Sequence, residues 1–148
     1  MRVSEVMSRD VHIASPMQTI SEAAQAMAAH DIGSLPVGEN DQLVGMITDR
    51  DIAIRGVGKG CAPDTPIREV MTRDIKYCFE DEDLGHVTKN MGNIQVRRLP
   101  VVNREKRLVG IVSLGDIAQD GHPRHTVDMV RKVSEPGDQH NQSMAGMR

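Results

Sequence analysis

The chain repeats itself once, and in order. Val6-Met7-Ser8-Arg9-Asp10 returns as Val70-Met71-Thr72-Arg73-Asp74, and Leu35-Pro36-Val37 returns as Leu99-Pro100-Val101. Both pairs are displaced by 64 residues (70 − 6 and 99 − 35). Val44-Gly45 returns as Val109-Gly110 at a displacement of 65 (109 − 44), so the second copy has gained one residue in the intervening turn. Two copies make a paired unit and not a solenoid. A strand pair with a helix or two has one apolar face and cannot bury it alone. Two such copies are therefore expected to bury their faces against each other about a pseudo-twofold axis, leaving two clefts.

Each copy follows one grammar. Val11-His12-Ile13 reads as a short strand ending near Pro16. Thr19-Ile20-Ser21-Glu22 reads as a capping box, with Glu three residues after Thr. Ile20, Ala23, Ala24 and Met27 follow at helical spacing, and Gly33 offers a stop. Leu35-Pro36-Val37 and Leu43 to Ile47 are strands around a polar turn, and Asp49 to Arg55 is a second, short helix. The second copy repeats this with a stripe of Leu84, Val87 and Met91, weakened by Gly85 and Gly92, and with clearer strands over 96–102 and 108–112. The expected fold class is α/β (α+β), two β-α-β-β-α repeats packed as a pair. The expected domains are residues 1–58 and 67–121, with a Gly- and Pro-rich linker over 59–66. Residues 122–148 are expected to be a short helix, with Val127, Val130 and Val133 on one side, and a frayed tail.

Composition excludes several functions. The net charge of −3 and the near absence of aromatic residues argue against nucleic acid as a partner. No apolar run approaches the roughly 20 residues that span a bilayer, and the N-terminus lacks a signal-peptide segment. Two cysteines, Cys61 and Cys78, are too few for a disulfide framework, which points to a reduced cytoplasm. The ten methionines suit a core that lacks aromatics. His122 and His125 with Cys61 or Cys78 lack the spacing of a metal-ligand set, so no metal is expected.

The residues with chemical potential lie at matched places. Thr48-Asp49-Arg50-Asp51 and Ser113-Leu114-Gly115-Asp116 each deliver a hydroxyl and a carboxylate to the turn after an apolar strand. Such a pair caps any helix start. The same geometry lets a carboxylate at a cleft accept both hydrogen bonds from a ribose cis-diol, while the hydroxyl and the helix N-terminus favour a phosphate. Both uses can share one turn.

In this order and duplication the chain resembles a tandem pair of CBS domains, over roughly Val3 to Ala118. The motifs are Val6-Met7-x-Arg9-Asp10, Ile32-Gly33-Ser34-Leu35-Pro36-Val37 and Val44-Gly45-Met46-Ile47-Thr48-x-x-Asp51. The second set is Val70-Met71-x-Arg73-Asp74, Val96 to Val102, and Val109-Gly110-Ile111-Val112-Ser113-x-x-Asp116. The stretch His30 to Gly60 is especially similar to stand-alone bacterial two-CBS proteins of the hypoxic-response type.

The resemblance implies a regulatory module that binds adenosine ligands such as AMP, ATP, NAD or S-adenosylmethionine, with no required cofactor. It also implies homodimerisation and output to an effector protein. By position it makes Thr48, Asp51, Ser113 and Asp116 ribose and phosphate ligands. Ile13 and Tyr77 mark strands offering backbone groups to the base, Pro36 and Pro100 line apolar walls, and Arg97 and Arg98 are phosphate contacts. The first copy has Gly33-Ser34 where the second has Arg97-Arg98, and Leu114-Gly115 replace Asp49-Arg50, so unequal sites are expected. No Ser/His/Asp or Cys/His arrangement can be picked out, so catalysis is not expected. The rival class is a dimeric interaction protein whose clefts stay empty.

Overall fold

The computed structural model describes residues 1–120 and 123–136. It divides into two compact units, each described on its own. Among the described residues one is His12–Ile75, and the other joins Met1–Val11 to the residues from Lys76 to Pro136. Each unit therefore takes its opening Val-Met signature from the other copy of the repeat.

In the unit His12–Ile75, α1 spans Ile20–His30 and opens on the expected capping box. Thr19 Oγ1 accepts from the Glu22 amide at 3.0 Å, and Glu22 Oε1 accepts from the Thr19 amide at 3.2 Å. Ile20, Ala23 and Met27 are buried, whereas Ala24 lies outside the stripe and is exposed. The helix stops at His30, three residues before Gly33, because Asp31 takes up the left-handed conformation (φ 53°) that a short polar side chain tolerates.

Strands β1 (Ser34–Glu39) and β2 (Gln42–Thr48) form an antiparallel hairpin in which Ser34 lies opposite Thr48. Asn40 and Asp41 both have positive φ at its turn, the geometry that matches the twist of the flanking strands. The strand expected at Val11–Ile13 does not form. Only Ala14 pairs, donating to the Pro36 carbonyl at 2.9 Å and accepting from Gly38 at 2.9 Å. Pro16 follows two residues later without an amide hydrogen and cannot extend the ladder.

After β2 the helical run α2 goes further than expected. It starts as an α-turn at Asp49–Asp51, widens to a π-turn over Ile52–Gly56, and tightens to 3₁₀ over Val57–Lys59. It passes the expected end at Arg55 to take in Gly56, Val57 and Gly58, and then Lys59, the first residue of the expected linker. Gly56 is buried, and a β-carbon there would lie 3.2 Å from Ile20 Cδ1 of α1. The run ends at Gly60, which has φ 78°. Leu35, Val37, Ile47, Ile67, Val70 and Met71 close the core with the buried face of α1. Met46 of β2 and Thr72 exchange both backbone hydrogen bonds at 2.9 Å.

The second unit has a three-stranded sheet. β3 (Cys78–Phe79) runs parallel to β4 (Arg98–Val102), which pairs antiparallel with β5 (Leu108–Ser113). Arg98 lies opposite Ser113. The extra residue is accommodated at Asn103–Arg107, where Lys106 has φ 62° and Asn103 Oδ1 accepts from the Glu105 and Arg107 amides. Ser8 and Ile111 of β5 exchange backbone hydrogen bonds at 2.8 and 2.9 Å, as Met46 and Thr72 do in the other unit.

Helix α3 (Leu84–Ile94) forms despite its glycines, capped by Asp83, which accepts from the His86 amide at 3.2 Å. α4 spans Leu114–Asp120 and α5 spans Pro123–Val133. α5 docks beside α3: Gln95 Nε2 donates to the Lys132 and Glu135 carbonyls at 3.1 and 2.9 Å, and Met129 is buried. The expected valine side is not the packing side. Val127 and Val130 are exposed, because Met129, about 100° further round the helix than Val130, takes the inward position. The tail beyond residue 136 and His122 lie outside the described residues. Among the described residues no helix is long and apolar enough to cross a membrane.

Two hydroxyl–aspartate turns as the candidate functional site

The two turns are built alike. At the end of β2, Thr48 caps α2: Asp51 N–H donates to Thr48 Oγ1 at 3.0 Å, and Thr48 N–H donates to Asp51 Oδ2 at 3.1 Å. At the end of β5, Asp116 N–H donates to Ser113 Oγ at 3.1 Å, and Ser113 N–H donates to Asp116 Oδ2 at 3.0 Å. The next residue of each turn is pinned to the residue that leads into the partner strand, β1 or β4. Asp49 N–H donates to the Gly33 carbonyl at 3.0 Å, and Leu114 N–H donates to the Arg97 carbonyl at 2.8 Å. The capping reading thus holds at both places. It uses one carboxylate oxygen and leaves the other.

What happens to that second oxygen separates the turns. Asp51 is 3% exposed, and its Oδ1 lies 3.1 Å from Arg55 Nη2. Arg55 is itself anchored, with Nε donating to the Val70 carbonyl at 3.1 Å and Nη2 donating to Thr72 Oγ1 at 3.1 Å. Burial pushes the Asp51 carboxyl above its ordinary value, against the opposing pull of the Arg55 charge and the Thr48 hydrogen bonds. Asp116 is only half-buried, and among the described residues no cation pairs with it. Four residues beyond Asp116, where the first copy has Arg55, the chain has Asp120.

The other predicted residues divide with their units. Beside Ser113 and Asp116 stand Arg98, half-buried and in register with Ser113, and Arg97, exposed and tied to the turn through its carbonyl. Pro100 is buried in β4 opposite Ile111. Tyr77 is exposed, with its ring edge-on to Phe79 at 5.8 Å. Beside Thr48 and Asp51 the unit holds Pro36, buried in β1 opposite Met46, and Ile13, exposed. Arg55 lies outside the expected residues, although the sequence carries its signal: an acid followed four residues later by Arg is the helical ion-pair spacing.

A separate cavity of about 380 Å³ lies between α3 and α5, with Thr88, Lys89, Arg131 and Glu135 among its lining. It contains none of the predicted site residues. Among the described residues no group of three or more His, Cys, Asp or Glu side chains is placed to hold a metal ion.

The family profile for the CBS domain matches residues 3–57 and 67–120. CBS domain-containing protein YhcV of Bacillus subtilis is 43% identical over 116 residues, 78% of this chain and 82% of that protein. The crystal structure of Hypoxic Response Protein I with two coordinated zinc ions is 38% identical, with a TM-score of 0.73, over 81% of this chain and 98% of that one. The CBS domain pair of protein MJ0100, solved in complex with 5′-methylthioadenosine and S-adenosyl-L-methionine, is 33% identical, with a TM-score of 0.70, over 80% of this chain and 94% of that one.

Proposed function

The chain belongs to the CBS domain family, and from that membership we propose that it is a regulatory module that binds an adenosine-type ligand at a hydroxyl–aspartate turn. The observation that carries the reading is the turn at Ser113 and Asp116. Its carboxylate keeps one oxygen outside the cap and has no cation partner among the described residues. A carboxylate oxygen has lone pairs for two hydroxyl donors, the chemistry of a ribose cis-diol. Ser113 Oγ accepts from Asp116 N–H, which leaves its own proton to donate to an anionic group. Arg98, in register with Ser113, and Arg97 supply positive charge for a phosphate or carboxylate. The adenosine ligands of the related MJ0100 pair support this class of ligand.

The ligand is one of AMP, ATP, NAD or S-adenosylmethionine, none of them a required cofactor. The module works as a cytoplasmic homodimer and passes its state to a partner protein without catalysis. It signals only if the ligand binds two arrangements of the protein with different affinity. Thermal unfolding with each ligand tests the reading. A ligand at a hundredfold excess over its Kd adds about 2.7 kcal/mol of stability, which raises Tm by several degrees. A Tm unmoved by all four ligands contradicts it.

A second reading has its own observation. Ile54 and Val57 stand exposed on α2, two apolar side chains available to a protein contact. An interaction protein with empty sites would dimerise and show no ligand-dependent shift.

A further inference from the structure

Resting on the ligand-binding reading above, the two turns differ in one more respect that decides how many ligands the chain can take. We infer that Arg55 is a built-in occupant of the first turn, so that the protein takes one adenosine ligand per chain, at Ser113 and Asp116, and none at Thr48 and Asp51.

Three observations carry this. Asp51 has no unpartnered oxygen and is 3% exposed: Oδ2 accepts from the Thr48 amide and Oδ1 is paired with Arg55. A ribose arriving there must displace a guanidinium, and its uncharged hydroxyls replace a contact in which both partners are charged, for a smaller electrostatic gain. Arg55 does not swing freely, because the Val70 carbonyl and the Thr72 hydroxyl hold it from the far side. Moving it would strip those groups of their donor as well as uncovering a buried carboxylate. The second turn has the same cap without the plug: Asp116 is half-buried, no cation pairs with it among the described residues, and the residue one helical turn on is Asp120. The duplicated motif has thus been divided, one copy closed internally and the other left for a ligand.

Two reciprocal substitutions test the assignment, with AMP and S-adenosylmethionine as calorimetric probes on the full chain. Wild-type protein binds one equivalent. Arg55→Gln uncovers the first turn and raises the stoichiometry to two. Asp120→Arg gives the second copy the acid-to-Arg spacing of four residues that the first copy has at Asp51 and Arg55, and weakens the wild-type site by tenfold or more. A wild-type stoichiometry of two overturns the inference while leaving the binding function intact. So does a folded Arg55→Gln protein that still binds one. If Arg55→Gln does not fold, Asp120→Arg decides: unchanged affinity in a protein of unchanged Tm overturns the inference. No binding of either probe to wild type at millimolar concentration overturns the underlying reading, and the inference with it.

Discussion

Gly110 faces the carbonyl of Ser8 so closely that a β-carbon on it would lie 2.7 Å from that oxygen. The other unit repeats the contact, with Gly45 and the carbonyl of Thr72 also at 2.7 Å. Met7 and Met71 complete it, each with Sδ 2.8 Å from the same imagined β-carbon. The Val-Gly and Val-Met motifs, far apart in sequence, are therefore the two halves of one contact. In each unit the strand of one repeat meets the opening segment of the other.

This contact predicts that Gly45→Ala and Gly110→Ala each destabilise the protein by about 1–3 kcal/mol, because the clash is with backbone and cannot be relieved by a side-chain rotation. Urea unfolding midpoints check it. Substitutions that leave the midpoint unchanged would show that the strands are not so closely apposed.

The cap of α1 predicts a smaller effect. Thr19→Ala removes the acceptor of the Glu22 amide and the cap half of the reciprocal pair. The expected loss is about 1 kcal/mol, read from the same unfolding curves, while Thr19→Ser retains most of the stability.

Burial lifts the Asp51 carboxyl above its ordinary 3.8, which sets a pH dependence of definite sign. A raised folded-state value means that the native protein holds this proton more tightly than the unfolded chain does. The resulting stability is fully present below the unfolded value and is lost as pH rises through the folded one. Asp51→Asn is neutral at every pH and lacks this loss. Wild type should therefore lose stability relative to Asp51→Asn as pH rises above 3.8, until Asp51 is fully ionised. Denaturant midpoints of both proteins between about pH 4 and pH 8 check the sign. Wild type that holds or gains stability relative to Asp51→Asn as pH rises contradicts it.

The two thiols should react differently. Cys78 is buried in β3, and its thiol is pushed up to about 12 by that burial and by the charge of Glu82. It stays protonated and shielded near neutral pH. Cys61 is only half-buried. Native protein at pH 8 should therefore label at Cys61 and reach Cys78 only on unfolding, as mapped by mass spectrometry. Equal labelling of both in native protein contradicts the placement of β3.

Much of this architecture is legible in the sequence because duplication amplifies weak signals. One Thr-x-x-Asp is a helix cap like many others, whereas two at matched positions after matched strands mark a paired device. The displacement of 65 past the polar turn anticipates the extra residue accommodated at Asn103–Arg107. What stays illegible depends on tertiary contacts. The short helix is expected to end at Arg55, yet Gly56 packs beside Ile20 and the helical run continues to Lys59. The valines of α5 suggest a buried face, but the docking of Met129 turns them outward. Asymmetry between the turns can be expected from Gly33-Ser34 against Arg97-Arg98. Its physical form, Arg55 folded back on Asp51 and held by Val70 and Thr72, depends on a segment some fifteen residues downstream.

Calorimetric titration of wild-type protein and Asp116→Ala with AMP and S-adenosylmethionine decides whether this carboxylate holds an adenosine ligand. Wild type should bind at least one probe saturably with Kd below about a millimolar, a binding free energy stronger than roughly −4 kcal/mol, and a folded Asp116→Ala protein should lose that binding. Binding that survives Asp116→Ala unchanged, or no binding to wild type at all, would contradict it.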